Sequence, residues 1–389
     1  MSTTDSAAAR RTIEAAVLER AQHTSKSKAQ DTWSFARAER LLGKEYHGRF
    51  LIELLQNAAD AWRDARADGS TCELVVVIDE SLSLIVANRG MPFPALTVLE
   101  SLGQIGLSPK EAGEAIGHKG IGFKSTLEIS ATPEIYSTFT DGMPMLAVRF
   151  DAARARELIL DQTPDWDTWV ADQDEFQQNP LQAVPILRYP TWVDSPPPAV
   201  TELGSHGYDT VVRLPYSPAL GDTQVWLAKV RDALRDVSDQ ILVLLGIFDR
   251  VRIENRVAGT CEDIVVSTEP GDDSNGTTAD TVTITRNGVC SSRWVRYQRQ
   301  YAEGAELASE VTTAIRLDAD DPVRPVHAHG DVESSSPFHL FFPTRIGSGL
   351  PFLLHGYFEV DAARTGFFAG SAEQNQSILD ALADLVVHA

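Results

Sequence analysis

The sequence predicts an α+β protein in two domains, and three observations carry that prediction. The chain has 389 residues, long for a single core, so two domains are expected. Apolar residues recur at helical spacing through the segments before Asp68-Gly69. From Glu73 onward, short alternating apolar and polar runs end at Gly, Pro or Asp, the punctuation of strands and turns. A composition of 43% hydrophobic and 23% charged residues is that of an ordinary folded protein.

Taken in order, helices are expected at 11–23 (Ile13, Ala16, Val17, Leu18), at 33–42, and through LIELLQNAADAW at 51–62. A hairpin follows, with strands at 73–78 and 82–87 around Asp79-Glu80-Ser81, then a loop at NRGMPF (88–93) and a short helix at 96–101. Beyond a glycine-dense window come a helix at 125–129 and strands at 134–139 and 145–150. The Asp-, Gln- and Pro-rich stretch 161–200 reads as a long surface excursion. A strand at 209–214 returns to the core, and the domain boundary is placed at 217–222. The second domain opens with a helix at 223–237 and an apolar segment at 241–248. Strands are expected at 250–254, 281–286, 293–299, 338–344 and 350–360, a flexible turn from Gly271, and an amphipathic helix at 372–387 closes the chain.

Thirty-four basic against 55 acidic side chains give a net charge of −21. Such a surface repels nucleic acid, so direct binding to it is disfavoured and protein partners are favoured. No uncharged apolar run approaches the roughly 18 residues of a membrane span, so a cytoplasmic chain with no membrane partner is expected. Three scattered cysteines, Cys72, Cys261 and Cys290, point to neither a disulfide framework nor a thiolate metal site.

Two stretches carry chemistry. On the 51–62 helix, Leu51, Leu54, Leu55, Ala58 and Trp62 fall on one side and Glu53, Asn57, Asp60 and Asp64 on the other. A carboxylate and a carboxamide one turn apart suit a hydrated divalent cation or an attacking water, although an ordinary solvated polar face would read the same. The window 103–124 holds Gly103, Gly106, Gly113, Gly117, Gly120 and Gly122, and three of the seven lysines in the chain: Lys110, Lys119 and Lys124. Flexible backbone amides and cations gathered in an acidic protein have the makings of a polyphosphate site; a plain surface loop is the alternative.

The helix, NRGMPF and IGHKGIGFKST (116–126), in that order, resemble the motifs of the GHKL ATPase superfamily, which joins type II topoisomerase ATPase domains, ninety-kilodalton heat-shock chaperones, sensor histidine kinases and mismatch-repair clamps. They look most like the sacsin-type and NO VEIN-type branch, with its ELxQNAxDA helix and IGxxGIGFKS loop. The resemblance implies a Bergerat-type sandwich, helices on a mixed β-sheet, at 1–220, and a smaller transducer-like α/β domain at 221–389. It implies bound ATP and Mg²⁺, with Glu53 as general base, Asn57 as Mg²⁺ ligand and Asp60 in support. Gly117, His118, Lys119, Gly120, Ile121, Gly122, Phe123, Lys124 and Ser125 would form the phosphate lid, with Lys110 at its mobile end. Thr210, in DTVVRL, matches a threonine of the adenine region. One departure stands out: Asn88 takes the place of the adenine-reading aspartate, followed by Gly90 and then Pro92 in place of a glycine.

More loosely, LFFPTRIGSGLPFLLHGYFEVDAARTGF (340–367) resembles a sacsin-type segment, which makes Arg364 the candidate for reaching the γ-phosphate, with Arg345 as its rival. The resemblance therefore implies a slow, Mg²⁺-dependent ATPase switch that couples lobe closure or nucleotide-dependent homodimerisation to a protein effector or to further domains of a longer chain. Chaperone-like remodelling and a defence or DNA-maintenance system are the biological settings it allows. An ATP-binding sensor without turnover is the alternative.

Overall fold

The computed structural model describes residues 6–26, 29–45, 48–65, 71–102, 122–274, 276–303, 307–317, 336–340, 342–360 and 365–389. They form an α+β protein of two compact units, residues 1–234 with 253–261, and residues 235–252 with 262–389.

The first unit begins with helices α1 (Ser6–Lys26), α2 (Gln30–Glu45) and α3 (Phe50–Ala65). Its strands are β1 (Glu73–Ile78), β2 (Ser83–Asn88), β3 (Glu134–Thr140), β4 (Met143–Phe150), β5 (Pro190–Trp192) and β6 (Thr210–Pro215), in the spatial order β1-β2-β6-β3-β4-β5. All the described ladders among these strands are antiparallel. The period-2 alternation gives the sheet two faces. One face, with Val75, Val77, Ile85, Ala87, Tyr136, Ala147 and Val211, packs on Val200 and Leu203 of α7 (Pro198–Ser205). Residues of opposite parity, Val86, Asn88, Ile135, Thr210 and Val212, turn instead toward α3.

The polar stretch expected as a surface excursion is a folded layer. It follows α5 (Ala152–Gln162), capped by Asp151 through the amides of Ala153 and Arg154, and contains α6 (Trp166–Ala171) and three 3-10 turns. Its inward apolar residues Trp166, Val170, Phe176 and Leu187 are all at most 1% exposed. Trp33 of α2 meets the rings of Trp166 and Phe176 at 6.0 and 6.1 Å. Glu39 of α2 accepts the amide hydrogens of Ile186 and Leu187 at 2.7 and 3.0 Å.

Between Pro94 and Leu102 lie α4 (Ala95–Thr97) and one π-helical turn, where a short helix was expected. The expected helix after the glycine window is a 3-10 helix, Gly122–Glu128. Helix α8 (Thr223–Arg235) starts within the first unit, where Trp226 Nε1 donates to the carbonyl of Ile129 at 2.8 Å.

The second unit holds α9 (Asp239–Leu245), which runs from the Ser238 cap to Gly246 in the left-handed region, and most of the strands after β7 (Arg250–Asn255). These are β8 (Thr260–Ser274), β9 (Thr277–Arg286), β10 (Val289–Glu303), β11 (Leu307–Arg316), β12 (Ser336–Leu340), β13 (Phe342–Leu350) and β14 (Leu353–His355), ordered β8-β9-β10-β11-β14-β12-β13. The β12–β14 pairing is parallel. The flexible turn expected from Gly271 is strand as far as Ser274, because β9 pairs with it through Asp273 and Ser274. Helix α10 (Ala372–His388) packs Ile378, Leu382 and Leu385 on Val311, Leu354 and Phe358.

Candidate functional site

Helix α3 is buried from Phe50 to Asp60 apart from half-buried Asn57, and this changes the meaning of the first part of its polar stripe. Glu53 and Asp60 are 6% and 2% exposed; these two members of the stripe face protein, whereas Asn57 is half-buried and Asp64 is exposed. Burying carboxylates is costly unless they are paired. Glu53 Oε1 lies 3.3 Å from Arg49 Nη2. Its other oxygen faces Gly122, where an added Cβ would fall 2.3 Å from Oε2. The first residue of the 3-10 helix thus abuts the expected general base, and a side chain there would displace its carboxylate.

A cleft opens between α3 and the inner sheet face. Its lining includes Leu54, Asn57 and Ala61 of α3, Asn88 and Val86 of β2, Thr210 and Val212 of β6, Ile135 of β3, and Phe93 and Phe123. Asn57 is half-buried on its wall. Strand register brings the polar members together, since Asn88 is opposite Thr210 and Thr210 is opposite Ser137.

The floor is a hydrogen-bonded set. Asn88 Nδ2 donates to the carbonyl of Arg89 at 3.0 Å, which leaves Oδ1 as the free acceptor of that amide. Ser137 Oγ donates to the carbonyl of Asp209 at 3.2 Å and receives the amide hydrogen of Phe93 at 2.7 Å. Its remaining contact, 3.1 Å to Thr210 Oγ1, is then donated by Thr210. The threonine oxygen keeps acceptor capacity. Asp209 Oδ2 takes the amide of Gly90 at 2.9 Å, and Met91 N donates to the carbonyl of Ala61 on α3 at 2.7 Å. At Gly90 φ is +133°, and a Cβ would come within 2.6 Å of the Ala61 carbonyl group. Ser137, Asp209 and Phe93 escaped the sequence reading. Asp209 adjoins Thr210, but nothing local marks Ser137, whose role follows from register.

Of the lid residues, Gly122, Phe123, Lys124 and Ser125 are described. Phe123 lines the cleft. Ser125 is buried and donates to the carbonyl of Gly122 at 2.5 Å. Lys124 is 1% exposed; burial lowers its pKa, and the nearby Glu39 carboxylate opposes that shift. Burial raises the Glu39 carboxyl to about 7 against the donated amides and the Lys124 charge. Lys110, Gly117, His118, Lys119, Gly120 and Ile121 lie outside the described residues, as does Arg364. Its rival Arg345 is exposed on β13.

The cleft joins apolar walls from Val86, Ile135, Val212, Leu54 and Phe93 to two acceptors, Asn88 Oδ1 and Thr210 Oγ1. Among the described residues no group of three or more His, Cys, Asp or Glu side chains could hold a metal. The Asn57 side-chain oxygen is a hard donor of the kind that Mg²⁺ accepts beside water. No helix among the described residues is long and apolar enough to cross a membrane.

No protein-family model matches the chain, and no curated protein matches it. Among solved structures it is similar to the 43K ATPase domain of Thermus thermophilus gyrase B in complex with an aminocoumarin, at 14% identity and a TM-score of 0.29. That similarity covers 61% of this chain and 57% of the gyrase chain, so the match spans little more than half of the latter's length.

Proposed function

We propose that the protein binds ATP with Mg²⁺ in the α3 cleft and hydrolyses it slowly, as a conformational switch of the GHKL type. The observation that carries this reading is that Asn57, Asn88 and Thr210, from three motifs far apart in sequence, line one cleft, with Glu53 one turn before Asn57. Two acceptors at the floor favour an exocyclic amino group, hence adenine over guanine, whose carbonyl would meet oxygen. Asn57 would hold Mg²⁺, which when bound neutralises charge on the phosphates. Glu53 takes a proton from water as the water oxygen bonds to the terminal phosphorus and the bond to the bridging oxygen breaks. Gly122 and the glycine-rich segment before it would supply backbone amides to the phosphates.

The switch would act on a protein effector or on further domains of a longer chain, with a nucleotide-dependent homodimer as one means. Chaperone-like remodelling and a defence or DNA-maintenance role are both consistent with an acidic surface that disfavours nucleic acid. Phosphate release and calorimetry test the reading together. Glu53→Ala should bind Mg·ATP like the parent and lose turnover, whereas Asn57→Ala should lose affinity. Unchanged hydrolysis by Glu53→Ala would remove the general-base role. A parent that binds ATP and releases no phosphate is instead a nucleotide sensor.

A further inference from the structure

Arg49 precedes the first residue of α3 and stands one turn before Glu53, whose backbone amide donates to the Arg49 carbonyl at 3.0 Å. Its Nη2 meets Glu53 Oε1 at 3.3 Å, with the two side chains 19% and 8% exposed. The turn that carries Arg49 is itself held. Gly48 N donates to Glu128 Oε2 at 2.5 Å, and Glu128 Oε1 lies 3.5 Å from Lys229 Nζ on α8. Glu128 ends the 3-10 helix that begins at Gly122. Both oxygens of Glu53 are thus bounded by one braced assembly, Arg49 on one side and Gly122 on the other.

Helix stability does not explain this arginine. A cation at a helix N-terminus opposes the macrodipole, and a base placed before an acid at i, i+4 is the weaker order. What Arg49 gains is the buried carboxylate beside it, and that carboxylate is the group assigned to take a proton from water.

We infer that Arg49 is a positioning residue for the reaction: its guanidinium keeps the Glu53 carboxylate ionised and in one orientation beside Gly122, without touching substrate. The inference rests on the ATPase reading above. Opposite charge favours the ionised acid, and a general base works only in that form.

The test compares parent, Arg49→Gln and Arg49→Lys in the full chain. Arg49→Gln should lower kcat by about ten- to a hundredfold, a part of what a positioned base supplies, with KM changed less than about twofold. The acid limb of its kcat profile should move to higher pH, and Arg49→Lys should recover much of the loss. Without nucleotide, the isotope-labelled Glu53 carboxyl carbon should titrate at higher pH in Arg49→Gln than in the parent. Affinity for a non-hydrolysable ATP analogue with Mg²⁺ should be unchanged. Equal kcat in Arg49→Gln and parent would overturn the inference and leave the ATPase reading standing. So would a loss accompanied by a lowered melting temperature with no movement of pH profile or carboxyl titration. A parent without phosphate release overturns the ATPase reading and this inference with it. If Arg49→Gln fails to fold, Arg49→Met, which keeps much of the length and removes the charge, carries the same comparisons.

Discussion

Asp209 Oδ2 accepts the backbone amide hydrogen of Gly90 at 2.9 Å, so the residue before the cleft threonine fixes the turn after the cleft asparagine. The backbone repeats the tie, since Asp209 N donates to the Asn88 carbonyl at 3.0 Å. Strands β2 and β6 are thereby locked at the end where both acceptors emerge.

Removing that carboxylate should loosen the floor. A hydrogen bond to a charged acceptor contributes about 1.5–3 kcal/mol, so Asp209→Ala should lower stability by that order in urea denaturation. Affinity for a non-hydrolysable ATP analogue should fall about tenfold, or about 1.4 kcal/mol. Asp209→Asn retains an acceptor and should lose less in both measurements.

Gly90→Ala should damage the fold itself. The backbone there is in the region that favours glycine, and the new Cβ would meet main-chain atoms of Ala61 and Trp62, which cannot swing aside. Strain and overpacking each cost about 1–3 kcal/mol. A drop in melting temperature of several degrees, measured without nucleotide, is the expected result.

At Gly122 the same substitution should act on chemistry. The atom that an alanine Cβ would strike is the end of the Glu53 side chain, at 2.3 Å, and a side chain can rotate away. Stability should change by under about 1 kcal/mol, while phosphate release falls about tenfold or more as the base is displaced.

Glu39 makes stability depend on pH. Its carboxyl is raised from 4.5 to about 7 in the folded protein by burial, so between those values the native state holds a proton that the unfolded chain has lost. Stability is therefore highest below 4.5 with respect to this group and falls as pH rises toward 7. At about 1.36 kcal/mol for each pH unit, the loss is a few kcal/mol. The groups facing Glu39 are Lys124, Arg188 and the amides of Ile186 and Leu187. Glu39→Gln should flatten the slope across this window in denaturation series at several pH values.

Parts of the fold were legible because they are local. Helix α3 and strands β1 and β2 follow from periodicity, and NRGMPF from its Gly and Pro. The stretch 161–200 misled because 3-10 turns break the helical period. Its inward residues, Trp166, Phe176 and Leu187, are spaced irregularly among Asp, Gln and Pro. Lys124 shows a different limit. Its place among glycines and two other lysines pointed to phosphate, yet its burial near Glu39 depends on how α2 and the 3-10 helix pack, which no window of sequence contains.

By itself, the sequence determined the chemical types and their order: a carboxylate and a carboxamide one turn apart, an asparagine ending a strand, glycines before a buried turn, and a threonine starting another strand. Only the tertiary structure decided which of these meet. It turned Glu53 and Asp60 of α3 inward, set Asn88 opposite Thr210 and Thr210 opposite Ser137, and placed Arg49 and Gly122 on the two oxygens of Glu53. The physical reason is that periodicity reports which side of an element is apolar, whereas partners across a cleft are chosen by strand register and packing between segments distant in the chain.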